Sequence, residues 1–193
     1  MYPQFSPIIP IHRPDPIDDP GWAAELKLDG FRGLADTFHG RMLSKNLYPL
    51  NRFYHLTTRL PPGSVFDGEI CALDRDGRPD FNALLFGHGE PVYIVFDLLF
   101  YRHKDLRKLP LKERRAILDE VAKRYRVQKS ELFFGCSKKL YETVCAMNLE
   151  GIVLKPISSE YSSKTTWIKV LNRKYTGKEG RHELFDKRRY RTI

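Results

Sequence analysis

Three turn pairs, Asp29-Gly30, His39-Gly40 and Asp76-Gly77, cut the first half of the chain into short β-forming runs, and this limits the possible folds. Strands joined by tight turns pair antiparallel, because a parallel neighbour needs a crossover of a dozen or more residues. Strands are predicted over residues 22–28, 31–37, 41–44 and 65–73. Residues 92–100, β-branched and aromatic, read as a central strand. Upstream, Pro3, Pro7, Pro10, Pro14, Pro16 and Pro20 forbid helix. Residues 1–21 therefore read as an extended arm laid across the domain surface.

The second half changes period. Over 111–125, Ile117, Leu118, Val121, Ala122 and Tyr125 follow helical spacing, with Lys and Arg expected on the solvent face. A second helix is predicted from Ser137, taken as its N-cap, burying Leu140, Val144 and Met147. Strands are predicted again at 151–155 and 167–171. Hairpins first and helices later imply an α+β fold with antiparallel sheets. Residues 22–172 are read as one domain and 173–193 as a basic tail.

Composition narrows the function. A formal net charge of +9 suits a polyanionic partner, or simply keeps molecules apart. The longest apolar stretch contains Asp97 and is too short to span a bilayer, and no basic-then-apolar leader opens the chain. Cys71, Cys136 and Cys145 are odd in number and lack metal-ligand spacing, so they read as reduced core thiols. A cytoplasmic monomer without membrane contact is expected.

The chemistry-bearing residues follow. Lys27-Leu28-Asp29-Gly30-Phe31-Arg32 places a lysine at a strand end, then a turn, then an arginine. A lysine amine is a nucleophile only without its proton, and burial and nearby positive charge favour that state. Arg32 would also donate hydrogen bonds to a ribose or phosphate. Glu69 and Glu150 sit beside apolar residues, where an unpaired charge is costly, and two such carboxylates facing a triphosphate would hold Mg²⁺ directly or through water. Lys155 and Lys169 lie in apolar strands and would meet an anion, and Phe96 offers a flat face for a base. Each residue alone reads equally as an ordinary ion pair or core side chain.

Their joint order carries more. Glu25-Leu26-Lys27-Leu28-Asp29-Gly30-Phe31-Arg32, Phe66-Asp67-Gly68-Glu69, Val95-Phe96-Asp97-Leu98-Leu99, Glu150-Gly151-Ile152-Val153-Leu154-Lys155 and Trp167-Ile168-Lys169 resemble, in sequence, the nucleotidyltransferase motifs of the ATP-dependent DNA ligase family. Residues 106–115 are also similar to ligases. The resemblance implies two antiparallel sheets flanked by helices with a nucleotide groove between them. It implies ATP and Mg²⁺ (or Mn²⁺) as cofactors and DNA with nicks or breaks as partner, with repair proteins alongside. Lys27 would form lysyl-AMP, Glu25 and Leu26 would lie by the adenine, and Phe96 would stack on it. Arg32 and Glu69 would serve the ribose, Glu69 and Glu150 the metal, and Lys155 and Lys169 the α-phosphate.

Departures are also visible. Ser44-Lys45-Asn46-Leu47 resembles a Ser-Arg-Asn-Gly segment of the family, with Lys for Arg and Leu for Gly. Leu171 stands where the family carries a second phosphate-gripping lysine, for which Lys174 is a possible substitute. About twenty residues follow Leu171, fewer than an OB-fold needs, so a stand-alone adenylation core or a fragment is expected. RNA ligase, GTP-dependent guanylyltransferase and an inactive nucleic-acid-binding module remain the alternatives.

Overall fold

The computed structural model describes residues 6–178. Its strands are β1 (Ile11–His12), β2 (Trp22–Leu26), β3 (Phe31–Asp36), β4 (Arg41–Leu43), β5 (Val65–Ala72), β6 (Pro91–Tyr101), β7 (Lys104–Asp105), β8 (Phe133–Phe134), β9 (Gly151–Pro156) and β10 (Ile168–Leu171). Helices are α1 (Phe81–Phe86), α2 (Leu111–Tyr125) and α3 (Ser137–Ala146), with 3₁₀ turns at Asn51–Thr57 and Thr176–Lys178. The strands form two five-stranded sheets, ordered β1-β10-β9-β2-β8 and β4-β3-β5-β6-β7. Every pairing is antiparallel except β1 with β10. This is the predicted α+β architecture.

The turn pairs do different jobs. His39-Gly40 joins the paired strands β3 and β4. Asp76-Gly77 closes a bridge between Leu73 and Pro79 ahead of α1. Asp29-Gly30 makes no hairpin: β2 and β3 belong to different sheets, and the turn carries the chain from one to the other.

Strand alternation sorts the apolar residues into three layers. On β6, Phe96, Leu99 and Phe100 face a core shared with Val153 of β9 and with Trp167, so the two sheets pack on each other. Val95 and Leu98 face the opposite way, onto Leu118 and Val121 of α2. On β9 and β10, Ile152, Leu154, Ile168 and Val170 face Val144 of α3. Each large side chain buried this way contributes about 1.5–3 kcal/mol. The order is thus helix, sheet, sheet, helix.

Several expectations change. The polar face of α2 is not wholly solvated: Arg114 is fully buried, its guanidinium donating to both carboxylate oxygens of Asp97 at 2.8 Å. Arg115 is buried beside it, donating to Phe96 O at 3.0 Å. Ser137 is not an N-cap but the first residue of α3, where its hydroxyl donates to Asp18 Oδ1 at 2.6 Å and to Ile17 O. Asp18, from the proline-rich arm, accepts from Lys138 N at 3.2 Å and so caps the helix from outside it. Met147 lies past the end of α3 and is 45% exposed. Cys71 is buried, but Cys136 and Cys145 are only half-buried, so two of the three thiols lie outside the core.

The arm is built in rather than laid on. Ile8 is buried, and Ile11 N and Arg13 N donate to Trp167 O and Lys169 O. The segment after β10 also docks, with Asn172 buried and bonded to Glu150 O at 2.9 Å. The rest of the basic tail, 179–193, lies outside the described residues. Among the described residues no helix is long and apolar enough to cross a membrane.

Candidate active site

Lys27 stands where the chain leaves one sheet for the other. Its N–H donates to Gly151 O at 2.9 Å, extending the β2–β9 pairing one residue beyond β2. Two glycines let the strands close up around it. A Cβ on Gly30 would lie 2.1 Å from Ile70 O, and one on Gly151 would lie 2.2 Å from Val170 O. The Lys27 amine is 26% exposed and donates to Glu150 Oε2 at 2.8 Å. That bond is its hydrogen bond among the described residues.

A groove of about 380 Å³ opens between the sheets at this point. Glu25, Leu26, Lys27, Arg32, Glu69, Phe96 and Lys169 all line it, so seven of the nine residues singled out from sequence converge. Lys45, Val153 and Trp167 line it too, with Ile9 and Pro10 of the arm. Lys45 and Lys169 line the groove and have no ion pair among the described residues. Glu150 and Lys155 do not line it. Glu150 borders a smaller hollow behind Lys27, whereas Lys155 is fully buried.

Phe96 reaches the groove through a β-bulge. Asp67 pairs with Asp97 and Gly68 with Val95, which leaves Phe96 as an extra residue on β6. Its carbonyl, lost to the ladder, accepts from Arg115 Nη1 at 3.0 Å and Lys155 Nζ at 3.4 Å. Lys155 Nζ also lies 2.5 Å from Glu25 Oε1, 4.3 Å from the Phe96 ring centre and 4.0 Å from that of Trp167. Burial holds the Lys155 amine pKa below its ordinary value, and Glu25 opposes that shift. Glu25 in turn accepts from Ser130 Oγ at 2.9 Å.

Arg32 is held from three sides. It donates to Asp67 Oδ1 and Oδ2 at 2.6 and 2.5 Å and to Ile8 O at 3.1 Å, with its guanidinium 4.9 Å from the Phe96 ring centre. Tyr161 Oη donates to Asp67 Oδ2 at 2.6 Å and accepts from Ile8 N at 3.3 Å, closing a ring of bonds. Burial works against the Arg32 charge, but Asp67 more than offsets it and the guanidinium pKa is raised. Glu69 differs: burial pushes its carboxyl up to about 8, with Lys27 and Arg32 pulling the other way. It makes no hydrogen bond or ion pair among the described residues.

A sequence profile described as the ATP dependent DNA ligase domain matches residues 15–170. The chain belongs to this ligase family. It is 36% identical over 168 residues to the multifunctional non-homologous end joining protein LigD of Pseudomonas aeruginosa, covering 77% of this chain and 20% of that protein. It is 29% identical over 186 residues to the SPbeta prophage-derived DNA ligase-like protein LigB of Bacillus subtilis, covering 89% and 68%. The fold matches the ligase domain of M. tuberculosis LigD with a TM-score of 0.73 at 24% identity, over 86% of this chain and 60% of that one. The chain thus spans about a fifth of the Pseudomonas relative.

As a ligase domain the chain shows its departures in the geometry. Leu47, in a position where the family carries glycine, has a left-handed backbone with φ of 63°, and its N–H closes a turn to Ser44 O at 2.8 Å. Leu171 shares the face of β10 that carries Lys169, but does not line the groove. Lys174 is exposed on the turn after β10 and is not among the residues that line the groove. Asp67, Tyr161, Ser130 and Arg115 support the ligase site and were not singled out from sequence. Asp67 was legible as the carboxylate two residues before Glu69, whereas Ser130 and Tyr161 carry no local signal.

The donor set bears on the metal. Among the described residues no three or more His, Cys, Asp or Glu side chains cluster to hold an ion. Glu69 and Glu150, which act on each other electrostatically, are therefore a pair without a cage. That fits Mg²⁺, which keeps several waters and takes one or two carboxylates plus substrate phosphates.

Proposed function

We propose that this ligase domain forms lysyl-AMP on Lys27 from ATP and passes the AMP to a DNA 5′-phosphate at a nick or break. The observation that supports it is the Lys27 amine facing the groove, bonded to Glu150, with Lys45 and Lys169 uncompensated in the same groove. Such cations attract a triphosphate and stabilise charge on its transferring phosphorus. Phe96 and Val153 supply apolar surfaces for the base, and Leu26 and Glu25 border the same space.

In the first step the Lys27 ammonium gives a proton to Glu150, the carboxylate already within hydrogen-bond reach. The amine attacks the α-phosphorus, a P–N bond forms, the bond to the pyrophosphate oxygen breaks, and the second proton on nitrogen leaves with the pyrophosphate or to water. Mg²⁺, which a deprotonated Glu69 would hold, joined by Glu150 whenever that carboxylate is free of the Lys27 proton, would neutralise charge on the phosphates. Lys169 can reach the α-phosphate directly from the groove wall. For Lys155 to do so, its ion pair with Glu25 must first open. In the second step the DNA 5′-phosphate displaces Lys27, and in the third a 3′-hydroxyl displaces AMP. Repair partners are part of this reading, supported by the likeness to LigD, a non-homologous end joining protein.

The test is covalent labelling with α-labelled ATP or GTP and Mg²⁺ or Mn²⁺, in wild type and Lys27→Ala. Acid-labile, alkali-stable label from ATP, absent in Lys27→Ala, is the expected result. Label from GTP would move the protein to guanylyl transfer. No label from folded protein would leave a binding module.

A further inference from the structure

The chain after β10 is tied to both members of the Lys27–Glu150 pair. Asn172 N donates to Glu150 O at 2.9 Å, and Asn172 Nδ2 to Leu149 O at 3.0 Å. Tyr175 Oη donates to Asp29 Oδ2 at 2.7 Å. Asp29 lies two residues past Lys27, in the loop that crosses between the sheets, and is buried. Tyr175 also borders the hollow of about 20 Å³ behind Lys27 and Glu150. Asn148 holds the next residue, its Nδ2 donating to Thr176 Oγ1 at 2.8 Å. One short segment thus grips the loop of the amine through a side chain and the carrier of the carboxylate through its backbone.

We propose that Tyr175 is a positioning residue for adenylation, fixing through Asp29 where the Lys27 amine stands relative to Glu150. The inference rests on the reading of Lys27 as nucleophile. Lys27 N is held by Gly151 O, but residues 28–30 that follow lie outside the strand ladders, so side-chain bonds such as Tyr175 to Asp29 bear on where the loop runs. Misplacing a reacting amine by about 1 Å can cost on the order of 10²-fold in rate. Tyr175 does not line the groove, so its loss should slow the chemistry without weakening nucleotide binding.

The experiment measures single-turnover lysyl-AMP formation against ATP concentration, with thermal midpoints, on the full chain. The variants are Tyr175→Phe, Asp29→Asn, their combination, and Tyr141→Phe as control. Tyr141 Oη donates to Leu171 O at 2.9 Å and so anchors the same segment without reaching Asp29. The maximal rate should fall on the order of tenfold in Tyr175→Phe, with half-saturation by ATP within about twofold of wild type. The double variant should be no slower than the slower single one. Tyr141→Phe should lose a comparable few degrees in midpoint but keep its rate. Should Tyr175→Phe not fold, the same split between rate and half-saturation in Asp29→Asn decides. Unchanged rates in folded Tyr175→Phe, or a change confined to half-saturation, would overturn this inference alone. Absence of label in wild type would overturn it together with the lysyl-AMP reading.

Discussion

The groove has two unlike halves. At its mouth Lys27, Lys45 and Lys169 keep their amines accessible, and Lys27 alone is paired, by one bond to Glu150. Behind it Lys155 and Arg114 are fully buried against Glu25 and Asp97, and Arg32, half-buried in the groove wall, is held by Asp67, each with further bonds to backbone carbonyls. A half-exposed ion pair contributes little to stability and opens readily. A buried pair contributes little net stability as a pair, yet removing one partner strands the other charge. The mouth is therefore arranged for a substrate, and the back holds the shape that the substrate meets.

The sharpest way to break this division is Lys27→Ala. Covalent label should vanish entirely while the thermal midpoint moves by no more than a few degrees; a collapse in stability would mean the mouth is structural after all. At the back, Arg114→Ala should cost about 3–5 kcal/mol in a denaturant titration, because Asp97 is left charged and buried. Replacing both by apolar residues of like volume should recover most of that loss. A middle case is Glu69. The folded protein holds its proton up to about pH 8 and the unfolded chain releases it near 4.5, so between those values the unfolded state binds fewer protons. Stability should fall as pH rises through that window, and Glu69→Gln should flatten the slope in thermal melts at stepped pH. The smallest effect is expected at Leu47, outside both halves. Leu47→Gly relieves a left-handed leucine worth about 1–2 kcal/mol, offset in part by glycine's greater entropy when unfolded, leaving a gain of about 0.5–1 kcal/mol by denaturant titration.

What the sequence disclosed follows the same line. Residues at the mouth were legible because they sit in short ordered segments whose residue types are chemically demanding: a lysine before a tight turn, or a lysine ending an apolar run. The seven longer strands and α2 were legible from period and turns, within about two residues at their ends, whereas the two-residue strands β1, β7 and β8 and the short α1 were not. The back was not. Arg114 and Arg115 looked like part of a solvated helix face, because their buried partners Asp97 and Ser130 lie on other elements. The Asp29-Gly30 pair has the residues of a hairpin turn, yet only the pairing of β2 with β9 shows that it bridges two sheets. Tyr161 joins Asp67 across 94 positions of sequence, and no local pattern announces such a bond.

The parallel seating of β1 on β10 has a consequence for how the molecule is made. Ile8 and Tyr161, bonded to each other, are 153 residues apart. On a ribosome adding about 5–20 residues each second, the first waits roughly 8–30 s for the second. Through that interval the early segment, with its apolar Ile8 and Ile11, has no sheet edge to join. A nascent chain stopped before residue 161 therefore presents Arg32 without Tyr161 to complete its ring of bonds, and the groove lacks Trp167 and Lys169 from its wall.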